Sequence, residues 1–109
     1  MYELPPGEAS PYHWHVGEEE WLLVLEGEPT LRTPGGERTL KPWDAALFPR
    51  GEAGAHQLRN DTRSRVRAAF FSSVSDPEVA VYPDEDRIGV IAGSNRDDME
   101  TIRGWLAPR

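Results

Sequence analysis

Glycine and proline break this chain so often that long helices have little room. Ten of each fall within 109 residues, and they cut the apolar sequence into short runs separated by turn-forming clusters. Short apolar runs at close, regular spacing are the pattern of an antiparallel sandwich or barrel. The clearest run is Glu20–Glu26, where Trp21-Leu22-Leu23-Val24-Leu25 is bounded by charge and by Gly27. Continuous apolarity means that both faces are covered, as in a core strand whose outer face meets a second subunit.

The other pieces follow the same logic. Tyr12–Val16 is a first candidate strand, and Thr30–Thr33 with Arg38–Leu40 forms a hairpin around Pro34-Gly35-Gly36-Glu37. Ala45–Phe48, Ala55–Arg59 and Arg65–Ser72 are strands, and Val79–Tyr82 with Ile88–Ile91 makes two more. Met1–Ser10 contains Pro5-Pro6-Gly7 and reads as an extended lead-in rather than a regular element. Near the end the pattern changes. Ser94 or Asn95 can cap a helix, Asp97 and Asp98 favour its dipole, and Met99, Ile102, Trp105 and Leu106 recur at helical spacing. The expected organisation is one domain, with an extended segment 1–10, a barrel core 11–75, further strands 76–93 and a helix 94–109.

Charge and composition narrow the partners. A net charge of -7 argues against nucleic acid or an anionic membrane surface. No run is apolar enough to span a bilayer, and no basic-then-apolar leader opens the chain, so a soluble, cytoplasmic protein is expected. There is no cysteine, so any metal must be held by nitrogen and oxygen. No nucleophile elbow, phosphate loop or serine triad appears.

The three histidines carry the chemistry. In an extended segment His13 and His15 point to one side and Trp14 to the other. Glu20 opens the next strand on the face continued by Leu22 and Val24, and a tight turn at Val16–Glu19 returns it beside the histidines. His56 shares a face with Leu58 and Asn60. Neutral imidazole and carboxylate together suit borderline divalent ions. Alone, a His-x-His pair more often marks a surface strand than a metal site. Glu18 and Glu19 read as a solvated acidic turn, with Glu19 the substitute for Glu20 if the loop register slips by one. Asn60 reads as structural in an Asn60-Asp61 turn. Trp14, Trp21 and Trp43 read as core or subunit-contact aromatics, and Tyr12 and Phe48 as packing. Arg32, Arg59 and Arg67 read as solvated, Arg59 pointing away from His56.

Gly7, five residues, His13-x-His15, four residues, Glu20, six residues and Gly27 resemble the first conserved motif of the cupin superfamily at every fixed position. Pro49-x-Gly51, then His56, three residues and Asn60 resemble the second motif more loosely. Trp43 stands where that motif opens with glycine, and four residues rather than two separate Gly51 from His56. The resemblance runs from Gly7 to Val74. It implies an all-β fold, a double-stranded β-helix (cupin) barrel or jelly roll, here with the short C-terminal α-helix. It also implies that His13, His15, Glu20 and His56 bind one divalent transition metal ion (Zn, Fe, Mn, Ni, Co or Cu), with positions left for water or a small-molecule ligand or substrate. A homodimer is implied too, often with N-terminal strands exchanged, and the apolar Trp21/Leu23/Leu25 face fits that. The expected function is a metal-dependent enzyme acting on a small organic molecule, of dioxygenase, isomerase or epimerase, or lyase type. The alternatives are a non-enzymatic metal or small-molecule binder and a structural dimeric module.

Overall fold

A computed structural model describes residues 1–92 and the backbone of a strand over Met99–Arg103. Alternation along β3 (Glu20–Glu26) sets the inside and outside of the molecule. Leu22 and Val24 are fully buried while Trp21 is exposed, so the row Glu20, Leu22, Val24 faces inward. β3 lies between β6 (Ala45–Phe48) and β8 (Val66–Ser72), and β1 (Tyr2–Leu4) adds to the far side of β8. The antiparallel register places Glu20 opposite Phe48 and Ser72, and Leu22 opposite Ala46 and Phe70.

Two further sheets make the facing layer. One contains β2 (Trp14–His15), β9 (Glu78–Tyr82), β10 (Arg87–Ile91) and β11 (Met99–Arg103), in the order β11-β10-β9-β2. The other joins β5 (Gly36–Thr39), β4 (Thr30–Thr33) and β7 (Gln57–Arg59) in that order. Bridges at His13↔His56 and Ala9↔Arg59 stitch the segment around β2 to the segment around β7. The result is an all-β barrel of the jelly-roll type. Leu4, Leu22, Val24, Phe48, Val66 and Ala68 meet Leu31, Leu40 and Leu58 in its core. Burial of each large aliphatic side chain contributes about 1.5–3 kcal/mol.

At one end the core turns polar. The inward row of β3 ends on Glu20 after Val24 and Leu22, and the row through β7 runs from buried Leu58 to buried His56. Functional groups therefore occupy positions that alternation assigns to the interior.

Two expectations are corrected. Tyr2–Leu4 is a strand, paired with β8 of its own chain, not an irregular lead-in. Three residues are too few to show a period, and only the pairing reveals them. Met99–Arg103 is a strand and not part of a helix, in register with all of β10. The open edge of β10 offers a full ladder of hydrogen bonds, which outweighs helix preferences of a few tenths of a kcal/mol per residue. Ser94, Asn95, Asp97, Asp98, Trp105 and Leu106 lie outside the described residues. Among the described residues the only helical turns are short 3-10 turns at Glu52–Gly54 and Pro83–Glu85. No helix there is long and apolar enough to cross a membrane.

Trp43, the residue standing in the place of a motif glycine, has φ of 74°. Its backbone takes the left-handed conformation that costs a non-glycine residue about 1–2 kcal/mol, and its exposed indole recovers little of that by packing. Trp43→Gly is expected to stabilise the fold by about 0.5–1 kcal/mol after the entropic cost of glycine, a few degrees in Tm. A fall in Tm, measured by differential scanning calorimetry, would mean that the indole contributes more than the backbone costs.

Candidate metal centre

Each of the four sequence-predicted donors arrives on its own backbone constraint. His13 exchanges both backbone hydrogen bonds with His56, at 3.1 and 3.0 Å. The His15 carbonyl accepts from the Gly51 N–H at 2.7 Å, so the loop before His56 is tied directly to β2. Glu20 enters from β3 opposite Phe48. The structure brings His13, His15, Glu20 and His56 together. Donor atoms of His13, His15 and Glu20 lie within 4.8 Å of one another. His56 Nε2 is 2.7 Å from Glu20 Oε1, and His15 Nε2 is 3.7 Å from Glu20 Oε2.

The tautomers follow from the outer contacts. His13 Nδ1 lies 3.0 Å from the Pro11 carbonyl and His56 Nδ1 lies 2.8 Å from the Gly54 carbonyl. A carbonyl only accepts, so each Nδ1 carries the proton and each Nε2 of a neutral ring presents a lone pair to the site. At His56 that lone pair faces a carboxylate oxygen at 2.7 Å. Two acceptors at this distance need a proton or a cation between them. Both ring nitrogens of His15 are buried without a hydrogen-bond partner. Three imidazoles, one carboxylate, inward lone pairs and an unsatisfied buried ring make a donor set that fits a divalent transition metal.

Several neighbours of the site are not legible as part of it in the sequence, where Phe48 reads only as packing. Phe48 stacks on His56 with ring centroids 3.7 Å apart, and it also lines a cavity of about 650 Å3 shared with Leu31, Arg38 and Leu47. Tyr82 stacks on His13 at 5.6 Å, with the Arg87 guanidinium 3.6 Å over its ring centre. Glu78, fully buried, places Oε1 3.6 Å from His15 Nδ1. The available signal was the alternation Glu78, Ala80, Tyr82, with Ala80 paired to His15. Glu18, expected to be solvated, is buried and accepts from the Ser75 N–H at 3.1 Å. The turn folds inward because the Ser75 N–H donates to Glu18 and the Ser73 N–H to the Glu19 carbonyl at 3.0 Å, while Ser73 Oγ accepts from the Glu19 N–H at 2.9 Å. Glu19 itself reaches outward to Arg50, so it does not substitute for Glu20.

Asn60 and Arg59 fall where expected. Asn60 is buried, donating to the Leu4 and Ser64 carbonyls and accepting from Thr62, which is a structural role. Arg59 points outward to Glu37 and Asp61. Arg32 forms a two-point contact with Asp84 and lies 4.0 Å over the Tyr12 ring. Trp21 and Trp43 are exposed rather than core.

With this geometry in place, the comparisons with known proteins converge. The family model described as Cupin domain matches residues 1–72. The chain belongs to the cupin family. A sugar phosphate isomerase from a cupin superfamily of Silicibacter pomeroyi, solved by crystallography, superposes over 98% of this chain and 67% of that chain with a TM-score of 0.83 at 28% identity. The polyketide cyclase RemF of Streptomyces resistomycificus covers 64% of this chain and 48% of its own, with a TM-score of 0.55 at 29% identity. The tetracenomycin polyketide synthase protein TcmJ of Streptomyces glaucescens is 31% identical over 75 residues, 69% of this chain. This cupin spans about half the length of that curated relative.

The cupin's departure at its second motif has a physical role. The longer spacing from Gly51 to His56 accommodates the 3-10 turn Glu52–Gly54. A Cβ on Gly54 would sit 1.8 Å from the Pro49 carbonyl oxygen, so only glycine permits this turn. The same residue supplies the carbonyl that orients His56.

The cluster makes this cupin sensitive to acid. His13 is pushed down to about 4, first by burial and then by the charge of His56, whereas an unfolded histidine titrates near 6.5. Between those values the unfolded chain binds a proton that the folded chain refuses, so stability falls as pH drops from about 6.5 to 4. Burial alone would raise the Glu20 carboxyl, but the hydrogen bond from His56 and the neighbouring imidazolium charges hold it below its ordinary value. Its contribution is lost as pH falls through that lowered value. Chelator-treated protein should therefore show a Tm that declines from pH 7 to 4. His13→Ala should flatten the part of the decline above about pH 4; an unaltered profile would place the proton uptake elsewhere.

Proposed function

We propose that this chain is one cupin domain that holds a single divalent transition metal ion at His13, His15, Glu20 and His56. On this reading it is an isomerase-type enzyme acting on a small polyhydroxylated carbonyl compound. The observation that carries the reading is the pair of fixed tautomers. With Nδ1 of His13 and His56 given to backbone carbonyls, Nε2 is the nitrogen each ring has left for the site, and that of His56 already faces Glu20 at 2.7 Å. An ion bound there supplies Lewis acidity to a carbonyl or enediolate oxygen. Glu20 contributes the negative charge that offsets part of the ion's. Phe48 covers one face of His56 and keeps water from it, and Tyr82 does the same for His13. The sugar phosphate isomerase neighbour spans nearly this whole chain, which favours isomerase over the other cupin chemistries.

A polyketide-type substrate is the second reading, favoured by the likeness to TcmJ and to RemF. Either substrate class brings an enolisable carbonyl to the site. The purified protein should contain about one transition metal per chain. Zn, Fe, Mn, Ni or Co should raise the Tm of the stripped protein, and His56→Ala should remove that response. No response to any of these ions would defeat the reading. Turnover is checked by NMR, following deuterium uptake from solvent at the carbon beside the carbonyl, with aldose and ketose phosphates in one panel and polyketide-like diketones in another. Stabilisation by a compound without turnover would leave a binding protein.

We further propose that the protein is a homodimer using the outer face of the first sheet. Trp21 pairs across the sheet with Leu47 on β6 and Phe71 on β8, and all three are exposed. A contiguous apolar stripe across three strands is what a subunit contact covers. The double variant Trp21→Glu with Leu47→Glu should elute as a monomer by light scattering where the wild type elutes as a dimer. A monomeric wild type would rule the contact out.

A further inference from the structure

We propose that Glu78 is a positioning residue for the metal centre, holding His15 from behind through its Nδ1. This rests on the metal site proposed above. It adds a residue from beyond the family match, which ends at residue 72.

Four observations support it. First, the three imidazoles are not anchored alike: His13 and His56 have backbone carbonyls at Nδ1, and His15 has none. The group behind His15 Nδ1 is the Glu78 carboxylate, 3.6 Å away. Second, Glu78 is fully buried, and among the described residues no lysine or arginine lies within ion-pair distance of it. A buried carboxylate with no cationic partner is costly even when hydrogen-bonded, and less so when a positive charge is close. A divalent ion on the far nitrogen of His15 polarises the ring and brings that charge within reach.

Third, the carboxylate is itself held. Oε2 accepts from Ser75 Oγ at 2.7 Å and Oε1 accepts from the Gly17 N–H at 3.3 Å. Fourth, the backbone makes room for it. A Cβ on Gly17 would meet Ser75 Oγ at 2.4 Å and Glu78 Oε2 at 3.0 Å, so a side chain there would push on the serine and the acid that glycine lets the loop close over. The pairing of His15 with Ala80 sets the geometry. The small side chain opposite His15 leaves its ring free to lean toward Glu78, two residues away on the same face of β9.

The test is a metal titration of full-length wild-type and Glu78→Gln protein with Zn(II) by competition and with Co(II) by absorption. Glutamine keeps the volume and removes the charge. The expected result is one ion per chain in both, with affinity lowered about 10–100-fold in Glu78→Gln and a shifted Co(II) d–d spectrum. Equal affinity and an unchanged spectrum would overturn the proposal and leave Glu78 a packing residue, with the metal site intact. Two ions in the wild type and one in the variant would also overturn it, because donor atoms of His15, Glu18 and Glu78 lie within 4.8 Å of one another and Glu78 would then be a ligand. A wild type that binds neither ion would overturn the site itself. If Glu78→Gln does not fold, Glu78→Asp serves instead: it keeps the charge but draws it back, and an affinity equal to wild type would count against the proposal.

Discussion

The polar end of this barrel depends on one hydrogen bond, from His56 Nδ1–H to the carbonyl of Gly54. It fixes which nitrogen of a buried imidazole is left facing Glu20, and the 2.7 Å contact there then demands a proton or a cation. The bond exists because a 3-10 turn is folded tightly over Pro49, and the turn exists because Gly54 has no side chain. A spacing that departs from the family motif is thus the means by which the second half of the site is oriented. The same loop reaches the first half through the Gly51 N–H on the His15 carbonyl. Both motifs are coupled through main chain rather than through the donors alone.

The C-terminal third has a role that the family match does not describe. β9 is the ladder partner of β2, and its inward residues Glu78, Ala80 and Tyr82 lie along the row that holds His13 and His15. Arg32 reaches Asp84 and draws the turn after β9 onto the hairpin of β4 and β5. Donors are thus presented by one portion of the chain and backed by another. That division matches the physical need: a ligand must be free at one nitrogen and constrained at the other.

Much of this was legible in the chain itself. β3 and β6 coincide with the runs Glu20–Glu26 and Ala45–Phe48, because apolar residues bounded by charge or glycine have few ways to fold. Period-2 alternation put His13 with His15, and His56 with Leu58 and Asn60, on the correct faces. What stayed hidden depends on pairing between distant segments. Tyr2–Leu4 becomes a strand only by meeting β8, and Met99–Arg103 only by meeting β10. Glu18 looked solvated because three consecutive glutamates normally are; it is buried because Ser75, far along the chain, donates to it. Glu78 is obscure for the same reason: alternation puts it on one face with Ala80 and Tyr82, but only the pairing of β9 with β2 shows what that face meets.

The pairing of β2 with β9 also orders events in time. Residues 78–82 follow His13 and His15 along the chain, so synthesis delivers them later. Until then β2 is held on one side only, through the His13–His56 bridge and the Gly51 N–H on the His15 carbonyl, and its other edge is open. Strands joined across such a separation close late, because the loop between them must first be ordered. The four side chains of the proposed site therefore reach their final spacing only once β9 has docked, and on that proposal metal capture would be coupled to completion of the barrel.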